Sequence, residues 1–191
     1  MHSKRLSKAF DFSSQIHKKH MRKTTDIPYL RHLLSVAALV IDHGGTEDQA
    51  ISALLHDSLE DQGHKFPGGH DALKKRIMTD FGENVLRMVE GLSDSDEYPK
   101  PEWRPRKDTY LAHLRNAEQD VLLISCADKL HNARSILRDY REIGDQVWDR
   151  FNGKKEGTIW YYQSLAEIFR EKAIDFDSLV SELERTVSQF S

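Results

Sequence analysis

The chain has 191 residues and a formal net charge of −3, which suits one domain with a sizeable core and excludes a general nucleic-acid binder, whose footprint is basic. A single cysteine, Cys126, excludes an intramolecular disulfide framework and a cysteine-based zinc knuckle. No apolar stretch approaches the ~20 residues of a membrane span, and the polar, basic N-terminus has no apolar signal-peptide core.

A cytoplasmic protein is therefore expected, with neither membrane nor nucleic acid as its partner. Ten histidines is a high count, and several fall on apolar segments, a weak pointer to metal chemistry.

Residues 4–20 read as an amphipathic helix with Leu6, Phe10 and Ile16 toward a core. The basic segment His17-Lys18-Lys19-His20-Met21-Arg22-Lys23 is either a solvated helix end or a phosphate-facing rim. Pro28 breaks this helix and can open the next, because the residue before a proline disfavours the helical region. Residues 29–43 are apolar nearly all round, which predicts a central helix. His32 lies on its Val36 and Leu39 face. Gly44-Gly45 ends it, and Thr46 with Gln49 forms a capping box for a helix over 47–58.

That helix runs into Leu54-Leu55-His56-Asp57-Ser58-Leu59-Glu60-Asp61. On a continuous helix His56 and Glu60 stand at i,i+4, Asp57 and Glu60 at i,i+3, and Asp57 and Asp61 at i,i+4. One turn then carries an imidazole and three carboxylates. Such a cluster at the end of a buried helix needs a cation or hydrogen bonds to offset its desolvation.

Residues 62–71 read as a loop, and 71–80 and 83–93 as short helices around Phe81-Gly82. Residues 94–107 read as irregular, either a lid or a plain surface loop. Residues 108–117 look helical. The segment 119–139 reads as a second buried helix, with Asp128 in its middle and Asn132 one turn on. Cys126 lies in its apolar run and reads as a plain buried thiol. Gly144, Gly153 and Gly157 punctuate the tail before a helix opened by Trp160-Tyr161-Tyr162. Residues 176–190 form a last amphipathic helix whose apolar face serves the core or a homodimer. No strand alternation and no internal repeat is present. The predicted fold is all-α, a single domain over residues 1–191.

Predicted buried helices thus offer His32, His56, Asp57 and Asp128. Two imidazoles and two carboxylates suit a divalent metal that accepts nitrogen and oxygen donors, such as manganese, iron or zinc.

The order H…HD…D resembles the HD-domain metal-dependent phosphohydrolases, whose fold is a helical bundle with the metal site in its centre. His56-Asp57-Ser58-Leu59-Glu60-Asp61 is similar to the HDxxED motif of the RelA/SpoT hydrolase domain. Asp128-Lys129-Leu130-His131-Asn132 resembles that family's D(K/R)LHN motif. Arg22-Lys23…Pro28-Tyr29…His32 resembles its RK…PY..H segment, and Phe81-Gly82-Glu83-Asn84-Val85 its FGxxV segment. Leu33 follows His32 where the family usually has proline, which removes no ligand. The tail from Arg150 through Tyr162 is nearer to small bacterial HD proteins.

The resemblance implies a stand-alone small alarmone hydrolase, of the metazoan SpoT homologue type, without a synthetase domain. It implies one manganese ion on His32, His56, Asp57 and Asp128, water activation by Glu60 and Asp61, and a substrate contact from Asn132. Its substrates would be (p)ppGpp- or (p)ppApp-type nucleotides cut at the 3′-pyrophosphate. Arg22, Lys23, Lys129, Lys154 and Lys155 are candidates to offset substrate charge, Arg22 also to stack on the base, and Tyr161 to bond a phosphate or sugar oxygen. Competing readings are a 2′- or 3′-phosphatase acting for instance on NADPH, a general HD nucleotidase, and a non-catalytic nucleotide-binding regulator. The Glu60-Asp61 pair argues against the nucleotidase, and the intact ligand set against the regulator.

Overall fold

A computed structural model describes residues 3–94 and 99–190. Apart from an isolated bridge between Met21 and Pro28, the regular structure in these residues is helical, as the sequence predicts. The helices fall into two units, Met1–Pro101 and Glu102–Ser191. No helix among the described residues is long and apolar enough to cross a membrane.

In the first unit, Ser3 caps α1 (Lys4–Ile16) by accepting from the Leu6 N–H. Its inner face is Ala9, Phe12 and Ser13, at helical spacing, whereas Phe10 is 39% exposed. The expectation that Phe10 faces the core is therefore wrong. It sits one step off the Ala9–Phe12–Ile16 stripe. The helix also ends sooner than expected, where the His17 N–H donates to Ser13 O at 3.0 Å.

The chain then makes a tight return. Arg22 N–H donates to Ile27 O at 2.8 Å, and Tyr29 N–H to His20 O at 2.9 Å. Thr24 takes a positive φ of 59° at the tip. This return delivers Tyr29 to the start of α2 (Leu30–Asp42), which buries His32, Leu33, Val36, Ala37, Leu39 and Val40. Leu34 and Ile41 are 43% and 40% exposed, so one stripe of the apolar helix faces solvent after all. Gly44 (φ +78°) ends it.

Thr46 and Gln49 form the expected capping box on α3 (Glu47–Leu55), whose residues from Ala50 onward are buried. This helix packs against α1, α2 and the later helix Glu83–Leu92 and is the centre of the unit. It does not run on to residue 58. The chain breaks at His56-Asp57, and α4 (Ser58–Gln62) starts afresh with Asp57 at its N-cap. Then come α5 (Gly69–Phe81) and α6 (Glu83–Leu92), separated by Gly82 at φ +94°. Leu73, Ile77, Phe81, Val85, Met88 and Val89 are buried between them and the rest of the unit, each contributing roughly 1.5–3 kcal/mol.

In the second unit, α7 (Trp103–Leu114) begins inside the stretch expected to be irregular. Pro105 falls in its first turn, where a missing N–H has no partner to lose. Of the expected lid over 94–107, residues 95–98 lie outside the described residues and 103–107 are helical. The long α8 (Gln119–Ile143) buries Val121, Leu122, Ile124, Cys126, Ala127 and Leu130. Burial pushes the Cys126 thiol up, so it stays an inert thiol. The helix expected from Trp160 starts six residues earlier, as α9 (Lys154–Lys172). Gly153 and Gly157 are there for the Trp103 indole. A Cβ on them would come within 2.6 and 3.2 Å of its ring. The apolar face of α10 (Asp177–Val187) is buried, and α10 packs on α8 and α9, so that face serves the core.

Candidate metal centre

In the first unit, α2 supplies His32 and the α3–α4 junction supplies His56 and Asp57. One donor atom from each lies within 4.8 Å of the others. Asp57 Oδ2 stands 3.6 Å from His32 Nε2 and 2.9 Å from His56 Nε2. The two imidazoles are 1% and 2% exposed. On an unbroken helix, consecutive side chains diverge by ~100°. The turn at Asp57 (φ −95°, ψ 5°) instead brings its carboxylate back against the preceding imidazole.

The hydrogen bonds make this set fit a cation. His56 Nδ1 lies 2.8 Å from Ala53 O, so Nδ1 carries the N–H and Nε2 the lone pair. That lone pair faces a carboxylate oxygen. Two acceptors at 2.9 Å repel unless positive charge sits with them. A backbone carbonyl fixing the far nitrogen of an imidazole is also how metal-binding histidines are usually oriented. Two nitrogens and a carboxylate oxygen are donors that a divalent transition metal accepts.

Tyr29 orients the carboxylate: its hydroxyl donates to Asp57 Oδ2. The Tyr29 ring stacks on His20 at 3.9 Å, and His20 stacks on His17 at 5.3 Å. Burial pushes His17 down to about 3, with the neighbouring His20 adding to the effect and Asp57 opposing it. The sequence carried Tyr29 only as a letter in a motif. Its spacing of three from His32 was the signal of a shared face.

Glu60 and Asp61 stand on α4. Lys100 Nζ donates to Glu60 Oε1 at 2.6 Å and to Asp61 Oδ1 at 3.2 Å, and the Asp94 N–H donates to Glu60 Oε2 at 3.0 Å. Burial and then the nearby Asp57 charge push Asp61 up to about 6, against the pull of Lys100. Lys100 was not among the expected site residues. It lies in a polar, proline-containing stretch with no periodicity to mark it. The Arg22 guanidinium lies 5.6 Å over the Tyr29 ring, while Lys23 is exposed. Lys18, Lys19 and Lys23 of the basic segment are exposed, and the segment runs into the return between α1 and α2.

In the second unit, Asp128 is buried in the middle of α8. It accepts from Lys129 Nζ at 2.6 Å and Asn132 Nδ2 at 2.6 Å. Burial works against the Lys129 charge, but Asp128 outweighs it and holds the ammonium well above its ordinary value. Tyr161 is buried, with Lys107 Nζ 4.7 Å over its ring, and burial pushes its phenol up. Lys154 and Lys155 are tied to Asp149 and Asp145, at 3.1 and 3.0 Å. They belong to the first turn of α9.

The first unit thus brings His32, His56 and Asp57 together and sets Glu60 and Asp61 beside them, while Asp128, Lys129 and Asn132 form a hydrogen-bonded set on α8. The sequence matches the HD domain family over residues 9–159. The chain belongs to the HD domain family. This HD domain is 34% identical over 136 residues to guanosine-3′,5′-bis(diphosphate) 3′-pyrophosphohydrolase MESH1 of Xenopus tropicalis, covering 70% of each chain. It is 31% identical over 184 residues to the MESH1 enzyme of Mus musculus, covering 88% of this chain and 95% of that one. Solved structures share the fold, two of them along most of their own length. One is a metazoan ortholog of SpoT that hydrolyzes ppGpp and plays a role in starvation responses, with a TM-score of 0.75 at 21% identity, covering 97% of this chain and 96% of that one. The other is lmo0812 from Listeria monocytogenes, with a TM-score of 0.69 at 24% identity, covering 82% and 96%.

Proposed function

We propose that this HD domain is a manganese-dependent hydrolase that removes the 3′-pyrophosphate of (p)ppGpp- or (p)ppApp-type alarmones, leaving the 5′-nucleotide. The observation that carries the reading is the His32, His56 and Asp57 donor set, within 4.8 Å, in a chain whose relatives are named as guanosine-3′,5′-bis(diphosphate) 3′-pyrophosphohydrolases. The family match runs from residue 9 to residue 159, which supports reading both units as one HD-type domain.

His32, His56 and Asp57 would hold the metal. Asp128 is the proposed fourth ligand, on the strength of its D(K/R)LHN-like motif. Manganese suits the mixed nitrogen and oxygen donors. A divalent ion supplies water activation and polarisation of a phosphoryl oxygen.

The remaining roles fall to the chain itself. Glu60 and Asp61 orient the attacking water, and the Asp61 carboxylate receives its proton. Burial disfavours the charged form of this carboxyl, which raises its affinity for a proton. The water oxygen forms its bond to the phosphorus on the ribose 3′-oxygen. In the reading proposed, the bond that breaks joins this phosphorus to that 3′-oxygen, which takes a proton as pyrophosphate departs. Arg22 stacks on the base, and Lys23, Lys154 and Lys155 offset phosphate charge. Asn132 and Lys129 orient Asp128 and reach the substrate, and the Tyr161 phenol bonds a phosphate or sugar oxygen.

The test is product identity. Metal-stripped protein, with and without manganese, is incubated with ppGpp, ppApp and NADPH. Pyrophosphate released from a bis(diphosphate) supports the reading, and the faster substrate identifies the base. Orthophosphate from NADPH alone contradicts it and moves the activity to a phosphatase.

A further inference from the structure

Glu60 is held at both oxygens, one by Asp94 and the other by Lys100. The Asp94 N–H takes Oε2 at 3.0 Å and Lys100 Nζ takes Oε1 at 2.6 Å. The same ammonium reaches Asp61 Oδ1 at 3.2 Å. Neighbouring carboxylates on a five-residue helix are thus bridged by a cation forty residues away in sequence. The Glu60, Asp61 and Lys100 side chains are 14%, 24% and 35% exposed, so this is not a fully solvated pair of the kind that contributes little. Charge-assisted bonds of this length fix side-chain geometry.

The charge balance explains why the bridge matters. Asp57, Glu60 and Asp61 crowd carboxylates where the proposed substrate brings several phosphate charges. Like charges at close range repel, and an unscreened acid pair would oppose a polyanion as well as its own neighbour. An ammonium has three N–H donors, and Lys100 directs two of them at this pair.

We propose that Lys100 is a positioning residue of the hydrolytic site. It locks the Glu60 and Asp61 carboxylates in one arrangement and offsets their charge toward a polyphosphorylated nucleotide. The inference rests on the function proposed above.

The test compares Lys100→Met, which keeps length and loses charge, with Lys100→Arg, which keeps the charge. In metal-free protein, Lys100→Met frees Glu60, and hydrogen exchange of the Asp94 amide speeds up by about tenfold or more. With manganese and ppGpp, Lys100→Met raises KM and lowers kcat/KM by about a hundredfold, the scale expected for misplaced catalytic groups. Manganese affinity, read by calorimetry, changes by less than about threefold, below the loss expected when a residue that orients a ligand is removed. Lys100→Arg recovers most of the exchange protection and the KM. Unchanged Asp94 exchange and unchanged KM in Lys100→Met overturn the proposal, as does a loss that Lys100→Arg leaves unrelieved. If the wild type fails to turn over ppGpp, the proposed function falls, and the exchange comparison still decides whether Lys100 holds the acid pair.

Discussion

The Tyr29 hydroxyl donates to Asp57 Oδ2, the same oxygen that faces His32 Nε2 and His56 Nε2. A phenol one turn before His32 therefore sets the direction of the carboxylate that closes the donor set. Tyr29→Phe removes one hydrogen bond and little packing, so stability should fall by only about 1 kcal/mol. Manganese affinity should fall by about 10- to 100-fold, as for other groups that orient a metal ligand. Calorimetric titration of metal-stripped protein checks this. An affinity equal to wild type would mean that Asp57 needs no such support.

Metal binding should also appear as stability. Manganese at about 100 times its dissociation constant adds about 2.7 kcal/mol to a protein that binds it only when folded. For a chain of this length that is a rise in Tm of about 5–10 °C. The wild type should show the rise and Asp57→Ala should not, as read by thermal melts with and without manganese.

His17 gives the fold an acid-sensitive contact. Its pKa is pushed down to about 3 by burial, so below the unfolded value of 6.5 the unfolded chain takes up a proton that the fold refuses. The sign follows: no loss above about pH 6.5, a loss of about 1.4 kcal/mol per pH unit below it, and a plateau near pH 3. His17→Gln should flatten the slope of stability against pH between 6 and 4 by about one proton. Urea unfolding at a series of pH values measures it, and an unchanged slope would assign the acid sensitivity to other groups.

Much of this was legible in local pattern. The Thr46–Gln49 box, the Gly82 break and the His56-Asp57 cluster are short-range signals, and each stands where the sequence put it. The misses are long-range. Gly153 and Gly157 read as punctuation because nothing nearby shows that Trp103 needs their space. Residues 94–107 read as irregular, yet the first turn of a helix tolerates Pro105. Lys100 finds its partners forty residues upstream, beyond any periodic signal. Phe10 and Leu34 are apolar but off the buried stripe, a one-residue distinction that composition does not make.

The Trp103 notch makes its own prediction. Gly153 has an ordinary φ of −75°, so alanine there costs nothing in backbone strain. Its Cβ would come within 2.6 Å of the indole, and the ring must move. Gly153→Ala should destabilise by about 1–3 kcal/mol, the usual cost of overpacking. Trp103→Leu in the same background should relieve part of that loss, as read by urea unfolding.

His32, His56 and Asp57 are proposed to hold a metal that drives pyrophosphate release. Phosphorus-31 NMR of ppGpp with metal-stripped protein tests it most directly, with manganese then added in steps to wild type and to His56→Ala. No turnover is expected before manganese, and pyrophosphate with the 5′-nucleotide should appear once about one equivalent is bound. His56→Ala should remain silent. Pyrophosphate release without metal, or equal release by His56→Ala, would contradict it.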